Sequence, residues 1–94
     1  MLDFIELFNG VARVARPALE NGAGASAMQD RLTEVGIDSL DVMVLLMYMC
    51  ELYGIDEATS KEWRAETVSD VHDLLMAHKT REPASVASAL EQIK

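Results

Sequence analysis

An unbroken apolar run at residues 42–50 constrains the fold of this chain more than any other feature. The run is far shorter than the roughly 20 residues that a membrane-spanning helix needs. Signals for the two ends of a soluble helix flank it. Asp38 is a good N-cap, Asp41 stands where a capping box needs an acid, and Gly54 is a natural C-terminal stop. The pattern predicts a helix that begins at Asp38 or Ser39 and ends just before Gly54.

A second helical pattern opens the chain. Its apolar residues recur at helical spacing: Phe4, Ile5, Phe8, Val11, Ala12 and Ala15. Asp3 and Glu6 lie near its start, where the helix dipole favours acids. Pro17 disfavours helical geometry at the preceding residue, Arg16. These signals predict a plain core helix that stops at Arg16.

Two further helices are predicted in the second half of the chain. Residues 56–64 are polar, with Trp63 near their end, and we expect a short helix there. Residues 67–70 repeat the capping-box pattern and open another helix. The apolar residues of that helix again follow helical spacing: Val68, Val71, Leu74 and Leu75.

The connection between the first two helices is long. Residues 21–26 are small or polar and lack the bulk of a core segment, while Met28 and Leu32 suggest one short helical turn. The segment carries no phosphate-binding fingerprint, so we interpret it as a spacer.

The end of the chain carries the weakest pattern. From residue 80 the sequence is polar, and Pro83 is a breaker. Residues 80–94 therefore form either a short terminal helix or a disordered tail. The sum predicts one domain over residues 1–79, an all-α four-helix bundle of three main helices and one short helix with a long first loop.

The charge balance restricts the class of partner. The 94 residues include 16 acidic and 8 basic ones, a formal net charge of −8. This charge repels nucleic acid and anionic membrane surfaces and favours partners with basic patches. Cys50 is the single cysteine, so an internal disulfide and a cysteine-based zinc site are excluded, and no calcium-loop pattern is present. The first residues carry acids where an export signal needs bases, and we expect a cytoplasmic monomer without metal or membrane span.

The pattern with most chemical content is Gly-Ile-Asp-Ser-Leu-Asp at residues 36–41. Ser39 falls in the first turn of a strong helix, directly after a loop, so its hydroxyl should be exposed. A helix N-terminus offers unpaired N–H groups and partial positive charge, which suit a phosphate ester on Ser39. Taken alone, the pattern favours a simpler interpretation, in which Asp38 and Ser39 only cap the helix.

Residues 1–79 resemble the acyl carrier protein family. The resemblance rests on VGIDSLD at residues 35–41, the apolar run after it, the Tyr-Gly-Ile exit at residues 53–55, and ETVSDV at residues 66–71. It implies an acyl-carrier-like bundle in which Ser39 receives phosphopantetheine from coenzyme A. The thiol of that arm would then carry acyl groups as thioesters.

The same resemblance implies transport rather than catalysis. The expected partners are a phosphopantetheinyl transferase and the acyl-loading, ketosynthase and acyltransferase-type enzymes of fatty-acid or polyketide-type biosynthesis. Asp38 and Leu40 flank the attachment residue and are assigned to cofactor binding with Ser39. A flexible arm raises the effective concentration of its cargo at successive enzymes, and the bundle can shelter an acyl chain among its helices.

The helix that follows Ser39 divides into two stripes. The stripe predicted to face the core contains Val42, Leu45, Leu46, Met49 and Tyr53. The other stripe continues from Ser39 and contains Leu40, Met43, Val44, Met47, Cys50 and Glu51. In the family this helix presents an acid-rich partner face, whereas here only Asp41 and Glu51 are charged along it. We expect apolar contacts to matter more and assign partner binding to Asp41, Met43, Val44, Met47 and Glu51, the alternative being that the Met-rich stripe is ordinary core.

Two other functions stay open. The chain could carry amino-acid or aryl thioesters, although Asp38 and the acidic charge favour acyl cargo, or it could be an unmodified interaction module. An enzyme is least expected, because no catalytic constellation stands out. Cys50 has no basic neighbour in sequence to activate it, and His72 and His78 are six residues apart and expected to be solvated.

Overall fold

The structure is a computed structural model that describes residues 3–16, 27–35 and 38–93. Over these ranges the chain is all-helical and has no strand. The helices are α1 (Phe4–Ala15), α2 (Ser39–Tyr53), α3 (Glu57–Ser60), α4 (Val68–His78) and α5 (Val86–Ile93). A helical bundle is confirmed, and it contains one helix more than the predicted four because the end of the chain is helical. The predicted spacer at residues 21–26 lies outside the described residues.

Helix α1 forms as its pattern predicts. The Asp3 carboxylate accepts a hydrogen bond from the Glu6 backbone N–H at 3.2 Å, and the helix ends before Arg16. Its buried face consists of Phe4, Leu7, Phe8, Val11 and Ala12. Leu7 is fully buried although the predicted core omitted it, because it lies one turn from both Phe4 and Val11 on the same face. Ile5 and Ala15, which the prediction included, are only partly buried.

Both predicted capping boxes are present. Asp38 caps α2, and Thr67 caps α4 through a hydrogen bond that its hydroxyl accepts from the Asp70 N–H at 3.1 Å. The predicted short helix is shorter than residues 56–64, since α3 ends at Ser60. The Ser60 hydroxyl donates to the Glu57 carbonyl at 2.7 Å, a local bond that competes with continued helix.

The start of α4 is tied to the segment that precedes α2. The Leu32 N–H donates to the Glu66 carbonyl at 2.9 Å, and the Ser69 N–H donates to the Met28 carbonyl at 2.6 Å. A 3-10 turn at Leu32–Glu34 follows and buries Leu32, where the sequence suggested a short helical turn. These bonds hold the approach to α2 against α4.

Residues after the predicted domain boundary at 79 pack as part of the bundle. Of the two alternatives for this segment, the helix is the one present, and α5 buries Ala89 and Ile93 against α1 and α2. Gly10 of α1 permits the close approach, since a Cβ there would lie 2.9 Å from a methyl carbon of Leu90.

The segment before α5 closes the C-terminal end of α2. Gly54 adopts the left-handed conformation with φ 66°, as its position predicted. The Tyr53 carbonyl accepts from the backbone N–H groups of Thr80 at 2.9 Å and Arg81 at 3.2 Å. The Thr80 hydroxyl donates to the Gly54 carbonyl at 2.6 Å, and the Arg81 guanidinium donates to the Glu51 carbonyl. Carbonyls that a helix end leaves unpaired are thus satisfied by residues distant in sequence.

None of the helices in the described ranges is both long and apolar enough to cross a membrane.

Candidate functional site

Ser39 is the first residue of α2 and is exposed to solvent, as the sequence predicted. Asp38 and Asp41 form a reciprocal cap beside it. The Asp38 carboxylate accepts from the Asp41 N–H at 2.9 Å, and the Asp41 carboxylate accepts from the Asp38 N–H at 3.3 Å. The capping therefore uses the side chains on either side of Ser39, and the Ser39 hydroxyl forms no hydrogen bond with any residue that the structure describes.

An ion pair joins this first turn to the end of α1. A guanidinium nitrogen of Arg16 lies 2.8 Å from a carboxylate oxygen of Asp41, whose side chain is 15% exposed. Burial raises the pKa of Asp41, but hydrogen bonds from the Arg16 side chain and the Asp38 backbone outweigh it and hold the pKa below its usual value. Asp41, assigned to partner binding, is therefore charged and already has a partner within the chain.

Ser39 is one of the residues that line an apolar groove of about 600 Å³. One wall is α2 and the other is α3 with the residues that follow it. Its apolar lining includes Val42, Met43, Leu46, Met47, Trp63 and Ala65. Val42 was predicted to be core but is only partly buried, because it lines this groove.

Charged side chains also line the groove. Lys61 and Arg64 are both exposed, and neither forms an ion pair with a carboxylate of the described residues. Glu57 is the one carboxylate in the lining. No function was predicted from the sequence for Glu57, Lys61 and Arg64, although all three lie in the polar segment at residues 56–64.

The residues assigned to partner binding differ in exposure. Met43 is 60% and Met47 is 45% exposed, and Leu40 beside Ser39 is 65% exposed. Glu51 is exposed as well, and Val44 is half-buried. Leu40, Met43 and Met47 are the large apolar side chains that the described part of the chain exposes, and we call them the apolar strip.

Cys50, predicted on the same stripe, is buried. The prediction extended an ideal helical stripe and could not include α3, which covers this side of α2. Burial raises the pKa of the Cys50 thiol, the Ser60 hydroxyl lowers it in part, and the charges of Glu57 and Asp56 raise it further. The thiol therefore stays protonated at neutral pH, which fits the unreactive role expected for it.

The two histidines contact aromatic side chains of different parts of the chain. The His72 ring packs edge-on against Phe4 with ring centroids 5.0 Å apart, so it is half-buried rather than solvated. His78 is exposed, and its ring centroid lies 5.6 Å from that of Trp63. Neither ring lines the groove at Ser39.

No family model, curated protein or solved structure matches this chain. The resemblance to acyl carrier proteins therefore rests on the sequence motifs alone and stays a prediction.

Proposed function

We propose that this chain is an acyl carrier protein whose Ser39 bears a phosphopantetheine arm. The observation that carries the proposal is the position of Ser39. It is an exposed serine at the first residue of a 15-residue helix, and it lines an apolar groove.

The residues around Ser39 fit a phosphodiester. The N-terminus of α2 supplies a partial positive charge to an anion placed on the hydroxyl. The Arg16 guanidinium pairs with Asp41 at 2.8 Å and so reduces the repulsion between that carboxylate and a phosphate nearby. Asp38 and Asp41 keep the first turn helical through their reciprocal hydrogen bonds. Ser39 is thus held in place by its neighbours, while its own hydroxyl stays open to reaction.

The groove supplies a place for cargo. When bound, the arm would supply a thiol that forms a thioester with an acyl group. Val42, Leu46 and Trp63 line the groove together with Ser39, and an acyl chain that folds back into it would be removed from water by contact with these apolar side chains. Fatty-acid or polyketide-type intermediates therefore fit better than the amino-acid alternative.

The apolar strip supports docking of partner enzymes next to the attachment residue. Exposed large apolar side chains that cluster together are typical of protein interaction sites. Leu40 directly follows Ser39, and Met43 lies one turn further along α2. A transferase or acyl-handling enzyme that reaches Ser39 would contact this strip, in keeping with the apolar partner face predicted from the sequence.

The test is covalent loading followed by intact-mass measurement. The protein is incubated with coenzyme A and a promiscuous phosphopantetheinyl transferase. We expect wild type to gain one phosphopantetheine and Ser39→Ala to gain none. Ser69→Ala is the matched control, because Ser69 also lies in the first turn of a capped helix but is half-buried, and its backbone N–H is bound to Met28.

Failure of wild type to gain mass, in a reaction that loads a known carrier, would refute the proposal. The alternative of an unmodified interaction module would then be favoured, since the apolar strip supports it without any arm on Ser39.

A further inference from the structure

Two of the eight basic residues of this acidic chain, Lys61 and Arg64, line the groove beside Ser39. Three of the basic residues are engaged elsewhere, Arg16 with Asp41, Lys79 with Glu82, and Arg81 with a carbonyl of α2. Lys61 and Arg64 instead line the groove and form no ion pair among the described residues.

The charge in the groove opposes the charge of the molecule. The whole chain has a formal net charge of −8, yet two cations and the single carboxylate of Glu57 line the groove. Within the groove the lining cations outnumber the lining carboxylates and favour an anion, while Arg64 also lines a neighbouring pocket with Glu66, Asp70 and Asp73. Apolar side chains of Val42, Leu46 and Trp63 occupy the same groove, so it combines an apolar surface with cationic groups.

We infer that the groove selects an acyl chain that carries a second, free carboxylate, with Lys61 and Arg64 as the specificity-determining residues. This inference rests on the proposed carrier function, since the first carboxyl of such a cargo would be the thioester. The hydrocarbon part contacts the apolar lining, and the free carboxylate pairs with the guanidinium and ammonium groups. A planar guanidinium can bind both oxygens of a carboxylate, which gives Arg64 directional selectivity.

The phosphate of an arm on Ser39 is another anion that these cations could bind. The test therefore uses unmodified protein, in which no such phosphate is present. Trp63 is the only tryptophan of the chain and lines the groove, so its fluorescence reports occupancy directly. The probes are decanoate and decanol, which share a chain length and differ in charge, with decylamine as the opposite charge and inorganic phosphate as a competitor.

We expect decanoate, below the concentration at which it forms micelles, to bind about tenfold more tightly than decanol, the size of effect that two exposed ion pairs can give. Inorganic phosphate at the same concentration should not displace it. Equal binding of decanoate and decanol would overturn the inference. Tighter binding of decylamine would also overturn it, because the overall charge would then govern affinity. Displacement of decanoate by phosphate would also overturn it, because Lys61 and Arg64 would then bind the phosphate of an arm on Ser39 rather than the cargo.

Two double variants show which residues produce the preference for decanoate over decanol. Lys61→Gln/Arg64→Gln should bind decanoate and decanol alike, while decanol binding stays at the wild-type level. Arg13→Gln/Arg31→Gln removes the same charge from exposed residues outside the groove and should keep the preference. A preference lost equally in both double variants would show a general charge effect and overturn the inference.

The outcome is separable from that of the carrier proposal. Ser39→Ala should retain the preference for decanoate, since the test involves no loading. Loading of Ser39 without a decanoate preference would overturn this inference alone. A decanoate preference without loading would overturn the carrier proposal, and with it the assignment of the bound acid as cargo.

Discussion

The two ends of α2 are completed by different parts of the chain. At the N-terminal end, Asp38 and Asp41 cap the first turn from within four residues of sequence, and Ser39 between them is exposed. At the C-terminal end, Thr80 and Arg81 bind the last carbonyls across a sequence separation of 26 residues or more. The C-terminal end is closed by tertiary structure. We call the N-terminal end open because, among the described residues, only Arg16 reaches it with a side-chain hydrogen bond from outside the cap. A helix anchored at its far end can present its first turn to other molecules without losing its position.

Deleting residues 80–94 tests the closed end most severely. The deletion removes the bonds to the Tyr53 and Gly54 carbonyls and exposes the surface that Ala89 and Ile93 cover. We expect a loss of about 4 kcal/mol or more in the free energy of unfolding, because truncation of one buried aliphatic side chain to alanine already costs about 2–5 kcal/mol. Urea unfolding measures it, with Ile93→Ala in the full chain as the milder control. An unchanged midpoint would mean that the end of the chain does not anchor α2.

Gly54→Ala tests the closed, C-terminal end of α2 by adding a single carbon atom. A Cβ at Gly54 would collide with the Thr80 hydroxyl, and the φ of 66° disfavours any L side chain. We expect a loss of about 2 kcal/mol, most of it from the left-handed backbone. The double variant Gly54→Ala/Thr80→Ala keeps the strained backbone but removes the collision. Gly54→Ala should therefore cost less stability in the Thr80→Ala background than in wild type. Thermal melts of the four proteins suffice, and a neutral Gly54→Ala would contradict the tight closure.

Asp38→Ala tests the open end, where we expect a smaller effect. Loss of one N-cap costs about 1 kcal/mol. Thr67→Ala removes the equivalent cap of α4 and is the matched control. If Asp38→Ala destabilised the protein more than Gly54→Ala in urea unfolding, the N-terminal end would be the anchor, and the contrast between the two ends would be reversed.

The smallest effect concerns the ion pair between Arg16 and Asp41 at the open end. The folded pKa of Asp41 lies below its usual value of 3.8, so its charged form stabilises the fold above that pH. This contribution should disappear as the pH falls below 3.8 and through the lowered value. Wild type should therefore be more stable than Asp41→Asn at pH 7 and should lose this advantage in acid. In an Arg16→Gln background, most of this stability advantage over Asp41→Asn should be absent at pH 7. An advantage of unchanged size would mean that the Asp41 carboxylate stabilises the fold only through its hydrogen bond with the Asp38 backbone.

The features of this protein that the sequence predicted are those set within one turn of helix. The caps at Asp38 and Thr67 and the stop at Gly54 depend on neighbouring residues, and all three are confirmed. The pairing of Arg16 with Asp41 spans 25 residues and has no local signal. Burial of Cys50 was missed for the same reason, since it depends on where α3 packs. Exposure of Ser39 followed from its place after a loop. The groove beside it could not be predicted, because it depends on how residues 57–65 pack beside α2.

Burial of Cys50 has a consequence for thiol chemistry. It is the only cysteine of the chain, it is 1% exposed, and its raised pKa keeps it protonated. Thiolates are the species that exchange with thioesters and react with alkylating reagents. A thiol tethered to Ser39 would therefore be the only reactive sulfur of the molecule. An acyl group on it would have no accessible cysteine of its own chain to migrate to, since Cys50 is buried, and a maleimide added to the folded protein would label the arm alone.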